Sequence, residues 1–303
     1  MNRFPVKNIF IEGPDCSGKT TLIKEVHNIT GYTWHIQDRS QISRTIFANL
    51  YNRDIRDSSF DYHIELSNLN NRFIILLPRF KSIKERFLKR GDDIHKTVES
   101  IENVYDAFSA HCEHLKDFPN VFVCKGEDLS TNISDIMSFL SSTSDYSLDD
   151  VSSYVSKFVS CAGGESYPLS FITYDDGAFK DADLEILNYK PESEYYEKIF
   201  NSLHEKISNE LDGKNEYSRI EDAFSRRFVY TDNSCISFIQ ASVRNNIFDF
   251  HIMIRSSDVK KIFPYDIKFL YYLASTCFSE YFSCSGCLFT RMRFNLNSAH
   301  IIV

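Results

Sequence analysis

Two sets of residues in this chain have side chains and spacings suited to holding phosphate groups. The first is contiguous. Gly13-Pro14-Asp15-Cys16-Ser17-Gly18-Lys19-Thr20 satisfies G-x-x-x-x-G-K-[ST], a pattern whose glycines let backbone amides turn inward around phosphate oxygens. A helix starting just after it adds partial positive charge, Lys19 can reach the outer phosphates, and Thr20 can offer a hydroxyl to Mg2+. The expected ATP-binding set is therefore Gly13, Asp15, Ser17, Gly18, Lys19, Thr20 and Thr21. The second set is dispersed: Ser225-Arg226-Arg227, then Cys235, then Arg255-Ser256-Ser257-Asp258, then Pro264-Tyr265-Asp266. A thiol becomes nucleophilic where a guanidinium and a bound phosphate favour the thiolate. Planar arginine forks also match phosphate oxygens better than an ammonium does. Cys235 with its arginines is thus a second candidate nucleotide site, against the plainer reading of an inert strand cysteine. Asp266 could equally cap the helix that follows it.

These side chains need elements to hold them. KNIFIE (7–12) is a short apolar run ending at glycine, and Thr20–Asn28 has helical spacing, so the phosphate loop is expected between a strand and a helix. Further strands are expected at Tyr32–Gln37, at RFIILLPR (72–79) and at VFVCKG (121–126). Helical patterns alternate with them around Ile42–Leu50, Phe60–Leu69, 81–90 and 94–116. Such alternation implies an α/β fold, a parallel sheet covered by helices on both faces. SSTSDYSLDDVSS (141–153) has no apolar period and is the expected linker, which divides the chain into residues 1–140, a linker over 141–156, and 157–303. Beyond it, 195–211 reads as helix, and CISFIQASV (235–243) and IFDFHIMIR (247–255) as strands joined by a turn. A further helix opens at FPYDIKFLYYLAS, so the second domain is expected to be α+β.

A net charge of −8 gives no global attraction to a phosphate backbone, which leaves small nucleotides as easier partners than duplex DNA. The eight cysteines follow no secretory leader, so free thiols in a reducing cytoplasm are expected. No apolar run approaches the roughly 18–20 residues of a membrane span. Cys284-x-x-Cys287 has no second pair nearby and falls short of a zinc ligand set.

IEGPDCSGKTTL, with DRSQIS (38–43), resembles the thymidylate-kinase-like and deoxynucleoside-kinase-like enzymes. The resemblance implies ATP and Mg2+ as cofactors, with Thr20 and Asp38 at the metal, Arg39 on the acceptor nucleotide and Asp15 on its sugar. ERFLKRGDD (85–93) resembles their lid, in which Arg86 and Arg90 close over the transferring phosphoryl group beside Lys19, Asp38 and Arg39. Only 18 residues separate Lys19 from Asp38, a short acceptor region for that family. The acceptor is therefore open between a free pyrimidine deoxynucleotide and a 5-hydroxymethylpyrimidine within DNA.

The series SRR, Cys235, RSSD and PYD resembles thymidylate synthase and the deoxypyrimidine-monophosphate hydroxymethylases, over about residues 195–300. There the resemblance implies that Cys235 attacks carbon 6 of the pyrimidine, and that Arg255, Ser256 and Asp258 belong to the nucleotide site. It further implies that Arg226 and Arg227 reach across a homodimer, and that methylene-tetrahydrofolate supplies the carbon. Synthases carry Asn where this chain has Asp266, and a carboxyl group there suits the exocyclic amine of cytosine, favouring dCMP. NLNSAH (295–300) replaces the family's His-x-Tyr pair, and the one Trp is Trp34 in the other half. The implied whole is a nucleotide kinase joined to a trimmed hydroxymethylase, or to a domain that only binds nucleotide or dimerises the kinase. A phage source fits that pairing.

Overall fold

The computed structural model describes residues 2–3, 5–53, 62–90, 95–141, 147–175, 193–211, 228–244, 247–285 and 289–302. In chain order the elements are β1 (Asn2–Arg3), β2 (Asn8–Glu12), α1 (Lys19–Thr30), β3 (His35–Asp38), α2 (Gln41–Leu50), α3 (Tyr62–Leu66), β4 (Asn71–Leu76), α4 (Phe80–Arg90), α5 (Val98–Leu115), β5 (Val121–Cys124) and α6 (Leu129–Ser141). There follow α7 (Leu148–Cys161), β6 (Tyr167–Asp175), α8 (Ser193–Leu211), β7 (Phe228–Thr231), β8 (Ile236–Arg244), β9 (Ile247–Ile254), β10 (Ser257–Asp258), α9 (Phe263–Ser285) and β11 (Phe289–His300). Two compact units result, one of Val6–Ser144 and one of Asp145–Val303 with Met1–Pro5.

The first unit is built on a four-stranded sheet ordered β3-β2-β4-β5, with every pairing parallel. Every residue of β4 is buried, as expected for a strand covered on both faces. Ile9, Ile11, Ile74 and Leu76 pack on one face with Leu22 and Val26 of α1 and Ile136 and Leu140 of α6. By strand alternation Phe10 and Phe73 point to the other face, where their rings stack 4.9 Å apart. The chain moves from β2 to β3 on one side, then crosses back to β4 on the other. That reversal opens a crevice at the carboxyl end of β2, where the phosphate loop begins. The strand expected over 72–79 stops at Leu76 because Pro78 cannot donate to a ladder.

The second unit is a mixed seven-stranded sheet ordered β1-β6-β11-β9-β8-β7, with β10 added beside β11. β11 runs parallel to β9 and antiparallel to β6. Its buried face carries Phe171, Phe250, Ile252 and Phe294, and α9 contacts both α7 and α8. Tyr196 of α8 stacks on Phe269 of α9 at 4.3 Å, and Phe263 meets Phe171 edge-on.

The Ser/Asp-rich stretch expected to link the units is shorter than its composition implies. Ser147 accepts from the Asp150 amide while the Asp150 side chain accepts from Ser147 N, a capping box that starts α7. Residues 148–156 are helical because these polar side chains satisfy the first-turn amides, while Val151 and Val155 face the core. Among the described residues no helix is long and apolar enough to cross a membrane.

Candidate functional site

β2 ends at Glu12 and α1 begins at Lys19, so the loop between them is the only link from strand to helix. Gly13 has φ +138, and a Cβ there would lie 2.4 Å from the Leu76 carbonyl oxygen; only glycine fits. Gly18 has φ +105 and enters the helix without a side-chain cap, which leaves the first amides of α1 for a ligand. Lys19 is 7% exposed, and its Nζ donates to the carbonyls of Gly13 at 2.8 Å and Pro14 at 2.9 Å. Burial pushes its pKa down and Arg39 adds to that, while Asp15, Asp38 and Glu12 act upward. The ammonium is thus held inside the loop by two neutral acceptors.

Asp15, Asp38 and Arg39 all lie near enough for their charges to act on this lysine. Arg39 has φ +76, its amide donates to Ile11 O at 3.0 Å, and its guanidinium donates to Asp15 Oδ1 at 2.6 Å. The guanidinium also lies 4.9 Å from the centre of the Phe47 ring. Thr20 and Asp38 are exposed. Among the described residues no cluster of three or more His, Cys, Asp or Glu side chains could hold a metal alone. One hydroxyl and one carboxylate nonetheless fit Mg2+, which takes few protein ligands and arrives with nucleotide phosphates.

From α4, Arg86 donates to the carbonyls of Ser17 at 2.9 Å and Cys16 at 3.4 Å, so this side chain is docked on the loop itself. Arg86, Lys89 and Arg90 line a cavity of about 590 Å³ with Ser17, Gly18 and Thr21. Its far wall holds Glu127 and Asn132. Gly126 makes that wall possible: a Cβ there would sit 2.0 Å from Asn132 Oδ1. Residues 91–93 of the expected lid lie outside the described residues.

Glu12 is a site residue that the motifs do not name. Fully buried, it accepts from the Ser40 amide and from the Ser43 hydroxyl, tying the end of β2 to the turn carrying Asp38 and Arg39. Burial pushes its pKa up, outweighing those hydrogen bonds. A charged residue closing the apolar run KNIFIE was the available signal.

The second set is arranged differently. The backbones of Cys235 and Arg255 are joined, the Arg255 amide donating to Cys235 O at 2.7 Å, with Cys235 half-buried and Arg255 exposed. Ser256 is half-buried beside them. Asp258, however, is 3% exposed, and its carboxylate accepts from the amides of Lys260, Lys261 and Ile302. It closes a turn rather than facing a ligand. Asp266 is 0% exposed and accepts from Tyr196 OH at 2.8 Å and Ser257 OH at 3.3 Å. It lies inside the first turn of α9, so neither a base-reading role nor a cap describes it. A carboxylate enclosed by α8 and β10 has no face open to a pyrimidine. Ser225, Arg226 and Arg227 lie outside the described residues, as does Cys287.

Sequence reasoning also missed Asp249, which takes paired hydrogen bonds from Arg291 and Arg293 on the adjacent strand. Burial alone would raise its pKa, but hydrogen bonds from His251, Arg291 and Arg293 hold it far below the carboxylate range. The signal was an alternation, D-x-H on β9 against R-x-R on β11, but the parallel register that joins them is not local.

No family model matches the chain. No curated protein matches it either. Solved structures similar to it include deoxyadenosine kinase from M. mycoides with products dCMP and a flexible dCDP bound, at 20% identity and TM-score 0.35, covering 45% of this chain and 99% of that one. The same kinase with bound dCTP matches at 21% identity and TM-score 0.35, over 45% of this chain and 99% of that one. Thymidylate synthase from T4 phage matches at 20% identity and TM-score 0.23, over 33% of this chain and 34% of that one.

Proposed function

We propose that the Val6–Ser144 unit transfers the terminal phosphoryl group of ATP to a pyrimidine deoxynucleotide. The observation that supports it is the gathering of Asp15, Lys19, Asp38 and Arg39 at a glycine-shaped loop on which Arg86 is docked. Lys19 exchanges its Gly13 and Pro14 carbonyl partners for phosphate oxygens, and Arg86, Lys89 and Arg90 offset charge from the cavity side. Mg2+, held by the Thr20 hydroxyl and Asp38, supplies Lewis-acid stabilisation of the phosphates when bound. Asp15 and Arg39 orient the acceptor. The protein works in a reducing cytoplasm, as a homodimer through its second unit.

The test is transfer of label from γ-labelled ATP to a panel of deoxynucleoside monophosphates and to duplex DNA carrying 5-hydroxymethylpyrimidines. Label on a free pyrimidine nucleotide supports the proposal, and label on DNA alone replaces it with the polymer acceptor. No transfer to either sinks it.

The second reading is hydroxymethylation of a deoxypyrimidine monophosphate with methylene-tetrahydrofolate, supported by a half-buried Cys235 on the strand segment whose backbone pairs with that of Arg255. The argument for dCMP rested on Asp266 and weakens with that side chain in the core. Tritium release from carbon 5 of dCMP or dUMP, lost in Cys235→Ser, is the expected result; its absence in the unmodified protein leaves the unit a nucleotide-binding or dimerising module.

A further inference from the structure

His95 carries no motif, and lies eighty positions from Asp15 in sequence, yet its Nε2 is 3.1 Å from Asp15 Oδ2. At 2% exposure it is among the most enclosed side chains of the first unit. The other oxygen of Asp15 holds Arg39, whose guanidinium lies over Phe47. Phe47 on α2 and Tyr51 at its C-terminal cap are about one helical turn apart with near-parallel rings, 6.2 Å between centres. The Tyr51 hydroxyl returns to His95 Nδ1 at 3.5 Å. Five side chains therefore form a closed circuit: His95, Asp15, Arg39, Phe47, Tyr51 and back to His95.

We propose that His95 is a positioning residue for the acceptor, an inference that rests on the kinase reading above. Its Nε2–H holds the Asp15 carboxylate, and Asp15 in turn fixes the plane of the Arg39 guanidinium over Phe47. An ionised carboxylate only accepts, so Nε2 carries a proton towards Asp15, while Nδ1 faces the Tyr51 hydroxyl. A guanidinium held by a carboxylate on one side and a ring on the other presents its remaining N–H groups in one direction, towards an anionic or hydroxyl group of the acceptor. The hydrogen bonds of Lys19 to Gly13 and Pro14, and of Arg86 to Cys16 and Ser17, do not pass through His95, while the charges of Asp15 and Arg39 act on Lys19 in opposite directions. Loss of His95 should consequently weaken acceptor binding and spare ATP.

Two substitutions divide the possibilities. His95→Leu removes the donor at similar bulk, whereas His95→Gln keeps an amide N–H at comparable reach. We expect His95→Leu to raise the acceptor KM about 10–100-fold with the ATP KM within about twofold, and His95→Gln to restore most of the loss. In 15N-histidine spectra of the unmodified protein, the His95 Nε2 proton should be present, and its resonance should move in Asp15→Asn. An equal rise in both KM values, an unchanged acceptor KM, a glutamine variant as impaired as the leucine one, or an unprotonated Nε2 would each overturn the inference. If no nucleotide accepts phosphate, the kinase reading falls and takes this one with it. Transfer that proceeds while His95→Leu leaves the acceptor KM unchanged defeats the inference alone.

Discussion

Lys19 and Asp266 are both buried polar groups in nucleotide-like sequence patterns, and they make opposite use of burial. Lys19 is held by two backbone carbonyls of the very loop that would receive a phosphate, and its pKa is pushed down by an environment that a polyanion would relieve. Asp266 is held by Tyr196 and Ser257, from two other elements of its own core, and a ligand could reach it only by breaking those contacts. In the first unit burial leaves a charged group held by neutral backbone carbonyls; in the second it encloses the group among side chains of its own core. The difference follows from backbone geometry. Gly13 and Gly18 have positive φ, and Gly13 passes so close to the Leu76 carbonyl that no side chain fits there. The turn after β10 instead wraps its own amides around Asp258.

The largest expected effect is at the loop. Lys19→Ala should lower phosphoryl transfer on the order of 10²–10³-fold in kcat. Its melting temperature should change little, because the lost hydrogen bonds are offset by relief of a desolvated ammonium. A variant that unfolds instead would make Lys19 a structural residue like Asp266, and erase the contrast.

Next comes Asp249→Asn, read by hydrogen exchange of β9 and β11. Removing the charge between Arg291 and Arg293 should cost roughly 2–4 kcal/mol, discounted for the partial exposure of both arginines. The folded pKa lies far below the usual carboxylate range, so the carboxylate contributes its full stability above the unfolded chain's value and loses it as pH falls. The variant should lack this acid-side loss; equal acid sensitivity in both proteins would assign the loss to other groups.

Asp266→Asn should cost about 1–3 kcal/mol, because the NH2 that replaces one oxygen forces the Tyr196 or Ser257 hydroxyl to turn from donor to acceptor within a closed core. Phosphoryl transfer should be unaltered. A stable variant with altered nucleotide binding would return Asp266 to the base-reading role that its place in PYD implies.

What the sequence disclosed divides along the same line. The phosphate loop was legible because its function is its local backbone, so strand, glycines, lysine and helix stand within eighteen residues from Asn8 to Glu25. The parallel sheet was legible because β2, β4 and β5 are short apolar runs between helical patterns. Asp258 and Asp266 were misread because a motif records residue types but not which groups the fold will consume. Ser257 and Tyr196 claim Asp266 from nine and seventy positions away. His95 and Asp249 were invisible for the converse reason: each finds its partner through tertiary register, His95 across eighty positions and Asp249 across a parallel strand pair.

Glu12 gives the smallest predicted effect and the sharpest test of direction. Burial raises its pKa, so the folded protein holds the Glu12 proton more firmly than the unfolded chain does. Stability from this group is therefore greatest below the unfolded chain's ordinary carboxylate pKa and declines as pH rises through the raised folded value, the reverse of Asp249. Glu12→Gln keeps an oxygen for the Ser40 amide and can donate to Ser43, so it should lie within about 1 kcal/mol of the parent at neutral pH. It has no proton to lose, and the decline should flatten. Trp34, the one tryptophan, packs against the first unit's core, so its fluorescence reports denaturation of that unit. Melts followed at Trp34 should show the Glu12 slope and not respond to Asp249→Asn. If Glu12→Gln keeps the parent's full slope, burial at the end of β2 is not what sets the pH response of the unit that carries the phosphate loop.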